Sequence, residues 1–99
     1  MIKHVLLFKL REMETPELKM EIMLEIKTRL EGLKAVIPAI HSIEVGINAN
    51  PKESYDIALI SEHQDWDALA TYRDDPHHVA VAQFIAQYRE ERACADFVF

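Results

Sequence analysis

The chain has 99 residues, 49% of them hydrophobic, and 17 acidic against 11 basic side chains, for a formal charge of −6. That length supports one compact core, so a single domain over residues 1–99 is expected. The basic residues are scattered and no apolar run reaches membrane-spanning length, which argues against nucleic acid and membrane partners; Lys9 and Arg11 interrupt the N-terminal "MIKHVLLFKLRE" too early for a signal peptide, and a cytoplasmic protein is expected.

The first predicted element is a strand over Ile2 to Leu10. Its alternation places Ile2, His4, Leu6, Phe8 and Leu10 on one face and Lys3, Val5, Leu7 and Lys9 on the other, so both faces carry apolar residues. In "ETPELKMEIMLEIKTRLEGLKAVIP", Thr15 can cap a helix and Pro16 suits its first position. Leu18, Ile22, Ile26, Leu30 and Leu33 recur at helical spacing, and Pro38 limits the helix, because the residue before a proline avoids helical angles. "HSIEVGINA" alternates Ile43, Val45 and Ile47 against Ser42, Glu44 and Asn48. "NPKES" supplies turn residues before "YDIALISE", so a hairpin is expected. Asp65 can cap a short helix carrying Trp66, Leu69 and Tyr72, and Asp75 with Pro76 starts another running to about Glu90. "ACADFVF" closes the chain as a strand. No linker, repeat or low-complexity tract interrupts this order.

Strand, helix, strand, strand, split helix, strand is the order of an α+β ferredoxin-like fold, a four-stranded antiparallel sheet with helices on one face. The uncovered face still carries Val5 and Leu7, an apolar surface that a monomer rarely exposes. A homodimer packed sheet to sheet through that open face is therefore expected.

Within "YRDDPHHVAVAQF" the two histidines are adjacent, but a helix turns about 100° per residue, so they point in different directions. Gln83, Gln87 and Glu90 mark the wet side of this helix. The opposite direction runs through His78, Val81 and Ile85, with His77 roughly 60 to 70° off its centre. His78 is thus the inward histidine, and His4 lies on the strand face expected beneath the helices. A buried neutral histidine donates from one nitrogen and accepts at the other. If Tyr72 reaches the same pocket, the three could remove a proton beside a carbonyl and hydrogen-bond the enolate oxygen that develops. The same residues equally admit a structural role, with His78 bonded to a nearby backbone carbonyl and His4 satisfying His78 or Tyr72.

His77, Asp74 and Asp75 read as residues of a helix end, and no ligand spacing among them points to a metal. Cys94 is the only cysteine; it cannot form an intrachain disulfide, has no neighbouring base in sequence, and is expected to be inert. Trp66, Tyr55, Tyr88 and the Met13, Met20, Met23 group read as packing residues. No cofactor is implied.

"MIKHVLLFKL", "IPAIHSIEVGIN", "YDIALIS", "YRDDPHHVAVAQF" and "ADFVF" together resemble the stress-responsive dimeric α/β-barrel (Dabb) family over essentially the whole chain. The resemblance implies ferredoxin-like subunits paired through their sheets, many without assigned activity. The plant polyketide cyclases of the olivetolic-acid type are similar and use a first-strand histidine, a tyrosine and a histidine around the last helix, which would be His4, Tyr72 and His78. The first histidine of their "HPxH" signature is Asp75 in this chain. Cofactor-independent monooxygenases and haem-degrading enzymes also resemble this architecture and can use an asparagine, a tryptophan and a histidine; Trp66 and His77 stand at comparable places, while the first strand offers His4 and no asparagine. A non-enzymatic protein binding a small apolar or polyketide-like ligand between sheet and helices is the reading from another class. A solvent-open cavity beside His4, Tyr72 and His78 would favour ligand chemistry over a filled core.

Overall fold

The computed structural model describes all residues, Met1–Phe99. Strand β1 (Ile2–Leu10) leads to helix α1 (Pro16–Gly32) and a 3₁₀ turn (Leu33–Ala35). Strands β2 (Ser42–Ile47) and β3 (Ile57–His63) follow, then helices α2 (Trp66–Asp74) and α3 (Pro76–Ala86), and strand β4 (Arg89–Val98). The sheet is antiparallel with the order β2-β3-β1-β4, so β1 is central and β4 an edge. This is the expected ferredoxin-like architecture.

Local chemistry fixes the helix starts. Thr15, Asp65 and Asp75 each accept a hydrogen bond from a first-turn backbone N–H that the helix leaves unpaired. Such a cap is worth about 1 kcal/mol. Pro16 and Pro76 occupy first positions, where a missing N–H costs nothing.

The core lies between one sheet face and the helices. Met23, Ile26 and Leu30 of α1 meet Leu6, Phe8 and Leu10 of β1 and Ile57 and Leu59 of β3. The buried stripe of α1 is rotated slightly from expectation: Leu18 is exposed and Met23 takes its place in the core. Trp66, at the first position of α2, is 55% exposed, and Met20 is also exposed, so neither packs into this core.

The largest departure concerns the C-terminal third. Helix α3 ends at Ala86 instead of about Glu90, and β4 begins at Arg89 instead of Ala93. The segment Arg89 to Arg92 thus extends the ladder with β1, reaching from Ile2↔Val98 to Leu10↔Arg89. Between Lys9 and Leu10 the register shifts: Lys9 faces Glu91 while Leu10 faces Arg89, which leaves Glu90 as the extra residue of a bulge.

Candidate functional site

A cavity of about 460 Å³ opens between β1 and β4 on one side and α2 and α3 on the other. His4, Tyr72 and His78 all line it. The three residues singled out from the sequence therefore meet in one place.

His4 projects from the helix-facing side of β1, and its cross-strand neighbour on β4 is Asp96. Directly opposed residues share a face, so the carboxylate reaches the ring and accepts a hydrogen bond from Nδ1–H at 2.5 Å. His4 thereby pairs with Asp96, and not with His78 or Tyr72. Its Nε2 has no hydrogen-bond partner within the chain.

Tyr72 sits in the last turns of α2, 2% exposed, and its hydroxyl has no hydrogen-bond partner within the chain although no buried polar atom is left unpaired, so the hydroxyl meets the cavity. Burial pushes the phenol up to about 12, which keeps it a proton donor at neutral pH. Its ring lies against three histidines, with centroids 4.4 Å from His78, 5.0 Å from His63 and 6.3 Å from His4.

His78 occupies the first turn of α3, half-buried. Its Nδ1–H donates to the Arg73 carbonyl at 2.9 Å, one of the carbonyls that the end of α2 leaves unpaired. This bond selects the tautomer and leaves Nε2 with its lone pair. Burial holds the ring below the ordinary histidine range, the Arg73 carbonyl partly opposes that, and the charges of His4 and Arg92 add to the lowering. The result is a neutral base beside a protonated phenol.

His63, absent from the expected set, completes the cluster from β3 and is fully buried. Its Nδ1–H donates to the Ala39 carbonyl at 3.0 Å and its Nε2 accepts from the Ser61 hydroxyl at 2.9 Å. Burial lowers its basicity, and with both nitrogens engaged it braces Tyr72 from behind.

Cys94 has no neighbouring base in sequence, but the fold brings one to it: its Sγ lies 3.6 Å from His4 Nδ1 and 3.6 Å from Asp96 Oδ1. Burial, and next the Asp96 charge, push the thiol up, so it stays an unreactive thiol at neutral pH. His4, Cys94 and Asp96 bring one nitrogen, one sulfur and one oxygen donor within 4.8 Å of one another, a set able to hold a metal ion. Arg73, Arg89 and Arg92 also line the cavity.

Trp66 and His77 do not line it. His77 is exposed and paired with Asp75 at 3.0 Å, and Asp74 pairs with Arg73. Period-two alternation in "ACADFVF" puts Cys94, Asp96 and Val98 on one face. The sequence therefore carried a signal for Asp96, but not for its register against His4.

The family described as the stress-responsive A/B barrel domain matches residues 2–99, and the chain belongs to it. Among solved structures, a dimeric protein of ferredoxin-like fold from Bacteroides fragilis is 43% identical with a TM-score of 0.93, covering 99% of this chain and 95% of that one. A dimeric ferredoxin-like protein from Thermobifida fusca is 26% identical, with a TM-score of 0.84 and coverage of 99% and 90%. An Arabidopsis thaliana protein at 24% identity and TM-score 0.81 shares the fold, with 100% of this chain and 95% of that one covered. No curated protein matches. No helix is long and apolar enough to cross a membrane.

Proposed function

We propose that this member of the stress-responsive barrel family binds a small molecule with a largely apolar body between sheet and helices, and that Tyr72 and His78 act on it by acid–base chemistry. One observation carries the reading: His78 is locked through Nδ1 onto the Arg73 carbonyl, which leaves a neutral Nε2 beside an unpartnered Tyr72 hydroxyl in an open cavity. Leu6, Phe8, Leu69 and Ile85 supply the apolar wall.

The chemistry this pair can perform is enolisation followed by carbon–carbon bond formation. His78 Nε2 takes a proton from a carbon beside a carbonyl, the C–H pair becomes the new C=C bond, and the carbonyl π pair moves onto oxygen, where the Tyr72 O–H donates to it. The enolate carbon then attacks a second carbonyl of the same molecule, and the imidazolium returns its proton to the alkoxide so formed. His4, oriented by Asp96, lies across the cavity as a second proton carrier. Such a cycle is polyketide-cyclase-like. A ligand carrier with no turnover is the second reading, favoured by the same apolar wall.

Benzylacetone in deuterated water separates the two. Wild type should bind it and exchange its α-protons faster than buffer; His78→Gln should abolish the acceleration, and Tyr72→Phe should reduce it about 10²-fold. Binding without acceleration would remove the enzyme and leave the carrier. Absence of binding would remove both.

We further propose that two chains pair through the sheet face turned away from the helices, where Val5 and Leu7 adjoin Ala58, Ile60, Ala93 and Ala95. The description of the B. fragilis and T. fusca relatives as dimeric supports this. In sedimentation the wild type should be a dimer at micromolar concentration and Ile60→Lys a folded monomer; a monomeric wild type would refute the pairing.

A further inference from the structure

We propose that the molecule held in this cavity carries a carboxylate, gripped by Arg89 and Arg92 at the β4 side while its apolar body lies toward Tyr72 and Ile85. The inference rests on the pocket reading above and adds the class of ligand. Its first basis is charge. Of the three arginines on the cavity wall, Arg73 pairs with Asp74 at 3.0 Å. Arg89 and Arg92 line the cavity and neither forms an ion pair. Asp96, the one carboxylate on the cavity wall, is turned to His4 instead.

The second basis is the backbone. Residues three apart on a regular strand point to opposite faces. Arg89 and Arg92 nevertheless share the helix-facing side, because the bulge at Glu90 adds one residue: Arg92 lies opposite Phe8 and Arg89 opposite Leu10, both inward residues of β1. An extra residue that turns two unpaired guanidiniums into one cavity is a device for aiming side chains, the use to which bulges beside sites are commonly put. The Arg92 charge is felt on both walls, at Cys94 on β4 and at His78 on α3.

The chemistry of the clamp selects its ligand. A guanidinium offers a planar fork of donors that matches a carboxylate, and the pair strengthens as an apolar body excludes water around it. The cost of drawing an anion out of water grows as the square of its charge while its attraction to the guanidiniums grows only linearly, so beside the apolar wall of this cavity a doubly charged phosphate is penalised more than a carboxylate. A singly charged carboxylate is therefore the preferred oxyanion, and a keto acid or an aromatic acid fits both ends of the pocket.

Calorimetric titration with three probes of matched shape tests this: naphthylacetate, the neutral naphthylacetamide and naphthyl phosphate. Wild type should bind the acetate about tenfold or more tightly than the amide, the scale of one charge-assisted contact. Arg89→Gln/Arg92→Gln should erase that preference and leave amide affinity unchanged, and Ala82→Trp, which fills the cavity wall, should weaken all three. Equal binding of acetate and amide to wild type, or a preference that survives the double substitution, would overturn the clamp while the pocket stands. Phosphate binding more tightly than acetate would overturn the carboxylate. Failure of all three to bind wild type would overturn the pocket itself.

Discussion

The Tyr72 phenol makes the chemistry of the site measurable without a substrate. Its ordinary value of 10.0 is pushed up to about 12 by burial alone, with the residue 2% exposed. In the unfolded chain the phenol ionises as pH rises through 10, whereas in the folded protein it stays neutral until about 12. A group whose folded value is raised contributes stability that is complete below the unfolded value and lost as pH rises toward the folded one. The difference corresponds to about 3 kcal/mol over that window, of which roughly half is gone by about pH 11. Urea unfolding of wild type and Tyr72→Phe at about pH 8 and about pH 11 isolates this contribution, because other alkaline titrations are common to both proteins. Wild type should lose about 1 kcal/mol more than the variant. The phenolate absorbance difference between the two should rise near pH 12. A Tyr72 phenolate forming near pH 10, or identical alkaline losses in the two proteins, would show that the hydroxyl is well solvated and that the donor assigned to the enolate oxygen is not held in a dry site.

Two further outcomes follow from the helix junction and the histidines. His63 and His78 are both held below 6.5 by burial, so they stabilise the fold above that value; stability should fall as pH drops below 6.5, and His78→Gln should flatten the slope in urea midpoints. A wild-type slope that is flat or inverted would contradict the burial of both rings. Asp75 accepts from the His77 backbone N–H at 2.8 Å to start α3, so Asp75→Ala should lower the urea midpoint, while Asp74→Ala, removing an exposed ion pair, should leave it nearly unchanged.

The fold was legible because local signals and the global arrangement agree. Caps at Thr15, Asp65 and Asp75, prolines at helix starts and period-two alternation in the strands all point to the same order of elements. The site was legible to the extent that it depends on facing. His4 and His78 were placed correctly by strand and helix periodicity, and each does point into the common cavity. What escaped depends on register and on competition between conformations. "REERA" consists of good helix formers, and nothing such as glycine or proline marks the end of α3, so propensity favours continuing the helix. Pairing with the free edge of β1 overrides this, satisfying a row of backbone groups that a longer helix would leave open. With the strand start misplaced, neither the bulge at Glu90 nor the inward position of Arg89 could be read. Asp96 was out of reach for a related reason, since its meaning comes entirely from standing opposite His4.

The position of the cavity follows from a gradient of polarity across one sheet face. Three rows run from β3 through β1 to β4: Ile57, Phe8 and Arg92; Leu59, Leu6 and Cys94; Ser61, His4 and Asp96. In the first two rows the β3 and β1 members are apolar and sealed under the helices, while every β4 member is accessible. Closing α3 onto β4 would strip water from the Arg92 guanidinium, which has no ion pair, and from a carboxylate whose partner is the His4 ring, and burying an unpaired charge costs several kcal/mol. The helix therefore seats Ile85 against the apolar part of the sheet and stands away from β4, and the gap between them is the cavity. The third row then matters for chemistry, because it sets His4 at the boundary, with a sealed polar neighbour on one side and the open carboxylate on the other. A sheet with apolar residues at positions 92, 94 and 96 could close this gap and lose the site.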